Sequence, residues 1–122
     1  LKLKGEEHGD TLKAASNYAD SLYRRRRYEE AKSLLRKTMP VAQRTLGEND
    51  GITLKMRWYY AEALRMRGDP SAALEDLREA VSTLEDLEPI ARRVMGGAHP
   101  TTAVIGRALQ NARAALAARE AA

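Results

Sequence analysis

The chain repeats itself at a fixed spacing. The stretch GEEHGDTLKAASNYADSLYRRRRYEEAKSLL, beginning at Gly5, aligns without a gap on GENDGITLKMRWYYAEALRMRGDPSAALEDL, beginning at Gly47, an offset of 42 residues. Thr11, Leu12, Lys13, Tyr18, Ala19, Leu22, Ala31 and Leu35 recur as Thr53, Leu54, Lys55, Tyr60, Ala61, Leu64, Ala73 and Leu77. A third start, GGAHPTTA, sets Gly96, His99 and Thr102 49 residues after Gly47, Asp50 and Thr53, so the second unit carries seven extra residues. Seven residues are about two helical turns, an insertion that lengthens a helix without rotating its apolar face. Self-similarity at this period marks an array of small units, each burying its apolar face against the next.

Each unit reads as two antiparallel helices. The first helices are expected over about 10–25 and 52–67, the second over about 28–45 and 70–95, with a last helix over about 100–120. Asp50 and Asp69 stand where an N-cap side chain is needed. Pro70 and Pro100 stand at first helical positions, where the missing N–H is harmless. Gly47, Gly96 and Gly97 follow the second helices, where a left-handed residue commonly ends a helix. The small residues Ala19, Ala31, Ala61 and Ala73 mark close approach within a pair, and Tyr18, Leu22, Leu35, Tyr60, Leu64 and Leu77 supply the bulk. Pro40 and Pro89 fall inside the second helices and are expected to kink or restart them.

Composition agrees with a folded helical chain: Ala, Leu, Arg and Glu abound, Phe is absent, and 31% of residues are charged. No apolar run nears the ~20 residues of a membrane span. The start, LKLKGEEHGD, has no signal-peptide core and no initiator Met, so the chain reads as a fragment. With no Cys there is no disulfide, thiolate metal site or cysteine nucleophile, which fits an intracellular, cytoplasmic protein. The net charge of +4 is mild and interspersed with Glu and Asp, so no nucleic-acid partner is expected.

The alternation of Ala, Leu or Tyr, YEEA and Leu at fixed spacing resembles the tetratricopeptide repeat. The 42-residue period, with the links RTLGENDGITL (44–54) and RVMGGAHPTTA (93–103) and the hairpin LYRRRRYEEAKSLLRKTM (22–39), resembles the kinesin light chain type. The resemblance implies an all-α fold, an α-solenoid of antiparallel helix hairpins forming one domain. Repeat 1 covers about 5–46, repeat 2 about 47–95 with its longer second helix, and a terminal capping or half-repeat helix follows. It also implies a concave surface, lined by the first helices, that cradles an extended peptide. The family's paired Asn on the first helix is represented by Asn17 after Ser16, and by Trp58 and Tyr59 in the second unit. The loop Gly is kept as Gly68 and replaced by Arg26 in the first unit.

The groove positions on the first helices are Lys13, Asn17 and Arg24, then Lys55, Tyr59 and Glu62, with Arg57 near the edge. An amide to hold peptide backbone and cations to pair with carboxylates suit an acidic and apolar peptide. Trp58 and Tyr59 stand at polar positions; either serves as an exposed aromatic anchor, or Trp58 packs on a neighbouring helix. Tyr60 repeats Tyr18 and belongs to the core. The run Arg24–Arg27 is expected to be a solvated turn, its cations complementing the negative end of the first helix. His8 and His99 sit at equivalent helix starts in different units, too far apart for a shared metal ion. Arg67-Gly68-Asp69 is the inter-helix turn. No phosphate loop, nucleophile elbow or paired-carboxylate arrangement occurs, so neither catalysis nor a cofactor is expected.

In ALQNARAALAAREAA the full core pattern is missing. A cap predicts a monomer. A half repeat predicts an exposed stripe of Ala108, Leu109, Ala112, Ala115 and Leu116, and self-association through it. The function expected is a non-catalytic scaffold that holds a protein or peptide, and the alternative is a structural spacer or self-assembly segment without a ligand of its own.

Overall fold

The computed structural model describes residues 4–66 and 73–121, which form five helices: α1 (Lys4–Arg24), α2 (Tyr28–Thr45), α3 (Gly51–Met66), α4 (Ala73–Met95) and α5 (Pro100–Ala121). Each helix packs on the next in sequence, and α1, α3 and α5 also pack side by side. Two hairpins, α1–α2 and α3–α4, are therefore stacked, with α5 in the place of a third first helix. The chain is an all-α helical repeat solenoid. Among the described residues no helix is long and apolar enough to cross a membrane.

The helix ends follow local chemistry. Asp50 accepts the Ile52 backbone N–H at 2.8 Å, satisfying a free donor in the first turn of α3. His99 does the same for α5, its Nδ1 accepting from the Thr101 N–H at 3.1 Å, with Pro100 next as the first helical residue. After α2 and α4 the chain turns through Gly47 (φ +95°) and Gly96 (φ +94°), a region that a side chain disfavours. Arg26 adopts φ +62° after α1, although it has a Cβ. The Arg26 N–H donates to Tyr23 O at 3.0 Å and the Arg27 N–H to Leu22 O at 2.8 Å, the paired bonds of a Schellman ending. Arg24, Arg25, Arg26 and Arg27 are all exposed, as expected of a solvated turn. Asp69, Pro70, Ala72, the Arg67-Gly68-Asp69 turn and the side chains of His8 and Ala73 lie outside the described residues.

One expectation about boundaries fails, and of the two alternatives at the prolines, kink or restart, the restart is excluded. α1 begins at Lys4, well before residue 10, with Gly5 and Gly9 inside it. A helix interior tolerates Gly at about 1 kcal/mol each, less than the gain from continuing a long helix. Nor do the prolines restart a helix: α2 runs through Pro40 and α4 through Pro89. Each removes one backbone donor, a local loss that the rest of the helix outweighs.

The core runs along the seams between helices. Ala19, Ala31, Ala42, Ala61, Ala80, Ala91 and Ala112 are wholly covered, where small side chains let backbones approach. Leu35, Leu54, Leu64, Leu84, Leu87 and Ile105 fill the space between them, and truncating one to Ala would cost about 2–5 kcal/mol. Tyr60 is in this core, 5% exposed, but Tyr18 is not: it is 55% exposed, because among the described residues no helix lies over α1 where α2 lies over α3. The terminal helix also departs from one expectation. Ala108, Leu109 and Ala112 are buried, with Ala115 and Leu116 half-buried, where α5 packs on α4. The stripe that a half repeat would have left open is covered within the chain.

Candidate functional site

The middle of α1, the N-terminal turns of α3 and α5, and the end of α4 surround an open groove of about 500 Å³. Lys13 lines it from α1 and Lys55 from α3, the same position in successive units. Both are exposed, so their ammonium groups stay hydrated and available. Ile52 and Met95 give the groove an apolar floor, and His99 and Thr101 close it on the α5 side. The N-terminal ends of α3 and α5 border the same space, and the positive ends of their helix dipoles add to the two lysines. The Asp50 carboxylate is engaged in capping α3. The groove thus combines fixed positive potential with a small apolar surface, the complement of a carboxylate next to an apolar side chain.

Farther along, the candidates separate. Asn17 lies one turn beyond Lys13 on α1 and is exposed; Arg24, also exposed, pairs with Asp20 at 2.9 Å. On α3 the corresponding strip is closed. Tyr59, at Asn17's place in the repeat, is only 8% exposed, and its ring meets Trp58 at a centroid distance of 4.9 Å. Burial, with the Asp20 carboxylate nearby, pushes the Tyr59 hydroxyl above its ordinary value. Glu62 is 6% exposed and accepts from Arg65 Nε at 2.7 Å. Burial, then the neighbouring Glu62 charge, likewise raises the Tyr23 hydroxyl. Arg57 is mostly covered and sits 3.7 Å from Glu48.

Neither aromatic is therefore an exposed anchor. Trp58 is half-buried against the main core, and its indole Nε1 is buried without a hydrogen-bond partner among the described residues. The open part of the surface formed by the first helices is therefore the Lys13–Lys55 end, since Tyr59, at Asn17's place in the repeat, is buried. Sequence reasoning passed over His99, Thr101, Met95 and Asp50 as groove residues. The signal was available in the equivalence of GENDGIT and GGAHPTT, which predicts that successive helix starts stand side by side.

Among the described residues no group of three or more His, Asp or Glu side chains gathers as a metal site would require. A family model described as tetratricopeptide repeat matches residues 10–86, more than half of the chain. No curated protein and no solved structure matches it.

Proposed function

We propose, since the chain belongs to the tetratricopeptide repeat family, that it is a non-catalytic scaffold that takes an extended acidic and apolar peptide at the Lys13–Lys55 groove. Tetratricopeptide repeats generally mediate protein–protein interaction. The observation that carries the finer reading is that Lys13 and Lys55, one per repeat, line the same open groove beside Ile52 and Met95. One carboxylate set between the two ammonium groups, with an apolar neighbour on Met95, uses every element of that surface. The kinesin light chain type of repeat is part of the proposal and rests on the 42-residue period and its LG…TL links.

Exposed charge pairs contribute about 0.2–1 kcal/mol each. Two of them amount to at most about 2 kcal/mol, a factor of ~30 in affinity. Fluorescence anisotropy against labelled acidic-apolar, basic and neutral peptide pools tests the reading. Saturable binding of the acidic-apolar pool is expected, with a loss of up to ~30-fold in the Lys13→Glu, Lys55→Glu double variant. No binding by any pool up to about 1 mM would leave the spacer or assembly segment as the better account.

A further inference from the structure

The two hairpins differ in what covers their outer faces. In the second, Thr53 is wholly buried and its hydroxyl donates to Ala42 O on α2 at 3.3 Å. Tyr60 is buried too, its hydroxyl accepting from Arg36 Nε of α2 at 3.1 Å and donating to Glu79 of α4 at 2.5 Å. A helix lying antiparallel on α3 makes both contacts. The six residues from Arg36 to Ala42 span about 9 Å and the seven from Thr53 to Tyr60 about 10.5 Å, so one helix reaches both ends.

The counterparts in the first hairpin, 42 residues earlier, are Thr11, Tyr18 and Lys37. Thr11 is exposed, and Tyr18 is the most exposed large apolar side chain among the described residues. Beside them lie two grooves on the α1–α2 seam. One, of about 360 Å³, is lined by Tyr18, Leu22, Leu34 and Lys37 among others. The other, of about 240 Å³, is lined by Thr11, Leu12, Thr38 and Val41. The face has the hydroxyls, the apolar seam and the length that α2 meets on α3.

One feature is inverted. Where Glu79 meets the incoming Arg36 in the second hairpin, the first presents Lys37. Lys37 makes no ion pair among the described residues, while Glu29 and Glu30 in the same groove already pair with Lys32 at 3.3 Å and Arg27 at 2.7 Å. We propose that the outer α1–α2 face docks an amphipathic helix of a partner protein, antiparallel to α1, that sets a carboxylate against Tyr18 and Lys37 and ends over Thr11. A cation at that place, as in α2 itself, would face Lys37. A second copy of this chain is a poor occupant for the same reason. The exposed side of α5 carries Arg107, and its Glu120 is tied to Arg78 at 3.4 Å.

The probe is a hydrocarbon-stapled peptide of residues 28–47 carrying Arg36→Glu, compared with the unchanged stapled peptide by fluorescence anisotropy on the whole chain. The Arg36→Glu peptide is expected to bind at least tenfold more tightly. Lys37→Glu in the chain, an exposed change that leaves the helical circular dichroism intact, is expected to reverse that preference. Lys13→Glu with Lys55→Glu is expected to leave it unchanged, which separates this face from the concave groove. Equal binding of the two peptides, a preference indifferent to Lys37→Glu, or no binding up to about 1 mM would overturn the proposal. Sedimentation of the chain alone completes the test: a dimer abolished by Lys37→Glu would give the face to a second copy and overturn the partner assignment.

Discussion

The hydroxyl of Thr53 donates across the hairpin junction to the carbonyl of Ala42, and Thr102 repeats the bond to Ala91 at the same 3.3 Å. Each acceptor lies near the end of a second helix, and the Ala42 carbonyl, which also accepts the Leu46 N–H at 2.8 Å, takes the hydroxyl as a further donor. Each donor lies in the first turns of the helix that follows. The bond therefore fixes the angle at which one hairpin passes into the next, and the repeat is physical as well as textual.

Replacing either threonine with Val keeps the shape and removes the donor. Thr53→Val and Thr102→Val should each cost about 1 kcal/mol in urea unfolding, the usual net value of such a bond. Thr11→Val, at the same repeat position but exposed, should cost nothing measurable. Equal effects at all three positions would show that the bond contributes nothing specific.

The backbone offers a second contrast. Arg26 holds a left-handed conformation that a side chain disfavours by about 1–2 kcal/mol. Arg26→Gly should stabilise the chain by about 0.5–1 kcal/mol, since part of the relief is offset by the freer unfolded chain. Gly47→Ala and Gly96→Ala should destabilise by a similar amount or more. Among the described residues nothing lies within 4 Å of the Cβ each would add, so the cost is conformational and not steric crowding. Thermal unfolding resolves the shifts, with opposite signs expected at Arg26 and at the two glycines.

How much of this was legible in the sequence depended on whether a position's fate was decided locally. Asp50, Gly47 and Gly96 act on the backbone within a few residues, so their roles could be read from spacing alone. Ala19, Ala31 and Ala61 recur at the repeat period, and their burial followed from it. Tyr18 and Tyr60 are the same residue in the same register, yet one is 55% exposed and the other 5%, because only the second lies under α2. Lys13 and Lys55 could be paired through the repeat. The burial of Tyr59 could not be assigned, because it depends on packing against neighbouring helices, whereas the Glu62–Arg65 pair is an i,i+3 contact within α3 that spacing alone could have suggested.

Buried phenols give the fold an alkaline limit. Tyr60 is raised above its ordinary value of 10.0 by burial and then by its hydrogen bond to Glu79, and Tyr59 and Tyr23 are raised mainly by burial. Each hydroxyl loses its proton more readily in the unfolded chain. Stability should therefore be unaffected by these groups below pH 10 and fall as pH climbs above it toward the folded values. Tyr60→Phe removes one of the three, so the fall in melting temperature between pH 9 and about pH 11 should be smaller than in the parent chain. An unchanged slope would mean that Tyr60 is not among the groups that limit it.

Trp58 tests the opposite case, a polar atom that earns no partner. Its buried Nε1 accepts the cost of leaving water without a hydrogen bond among the described residues, a penalty of about 1–3 kcal/mol for such groups. Trp58→Phe removes that donor and also some ring area stacked on Tyr59. The two effects oppose each other, so the net change should stay within about 1 kcal/mol, far below the 3–5 kcal/mol typical of removing a large aromatic side chain altogether. Acidic-apolar peptide binding should be unchanged, because Trp58 does not line the Lys13–Lys55 groove. If Trp58→Phe instead abolished binding while leaving stability intact, the indole N–H would be a donor to the ligand, and the site would extend along α3 past Lys55.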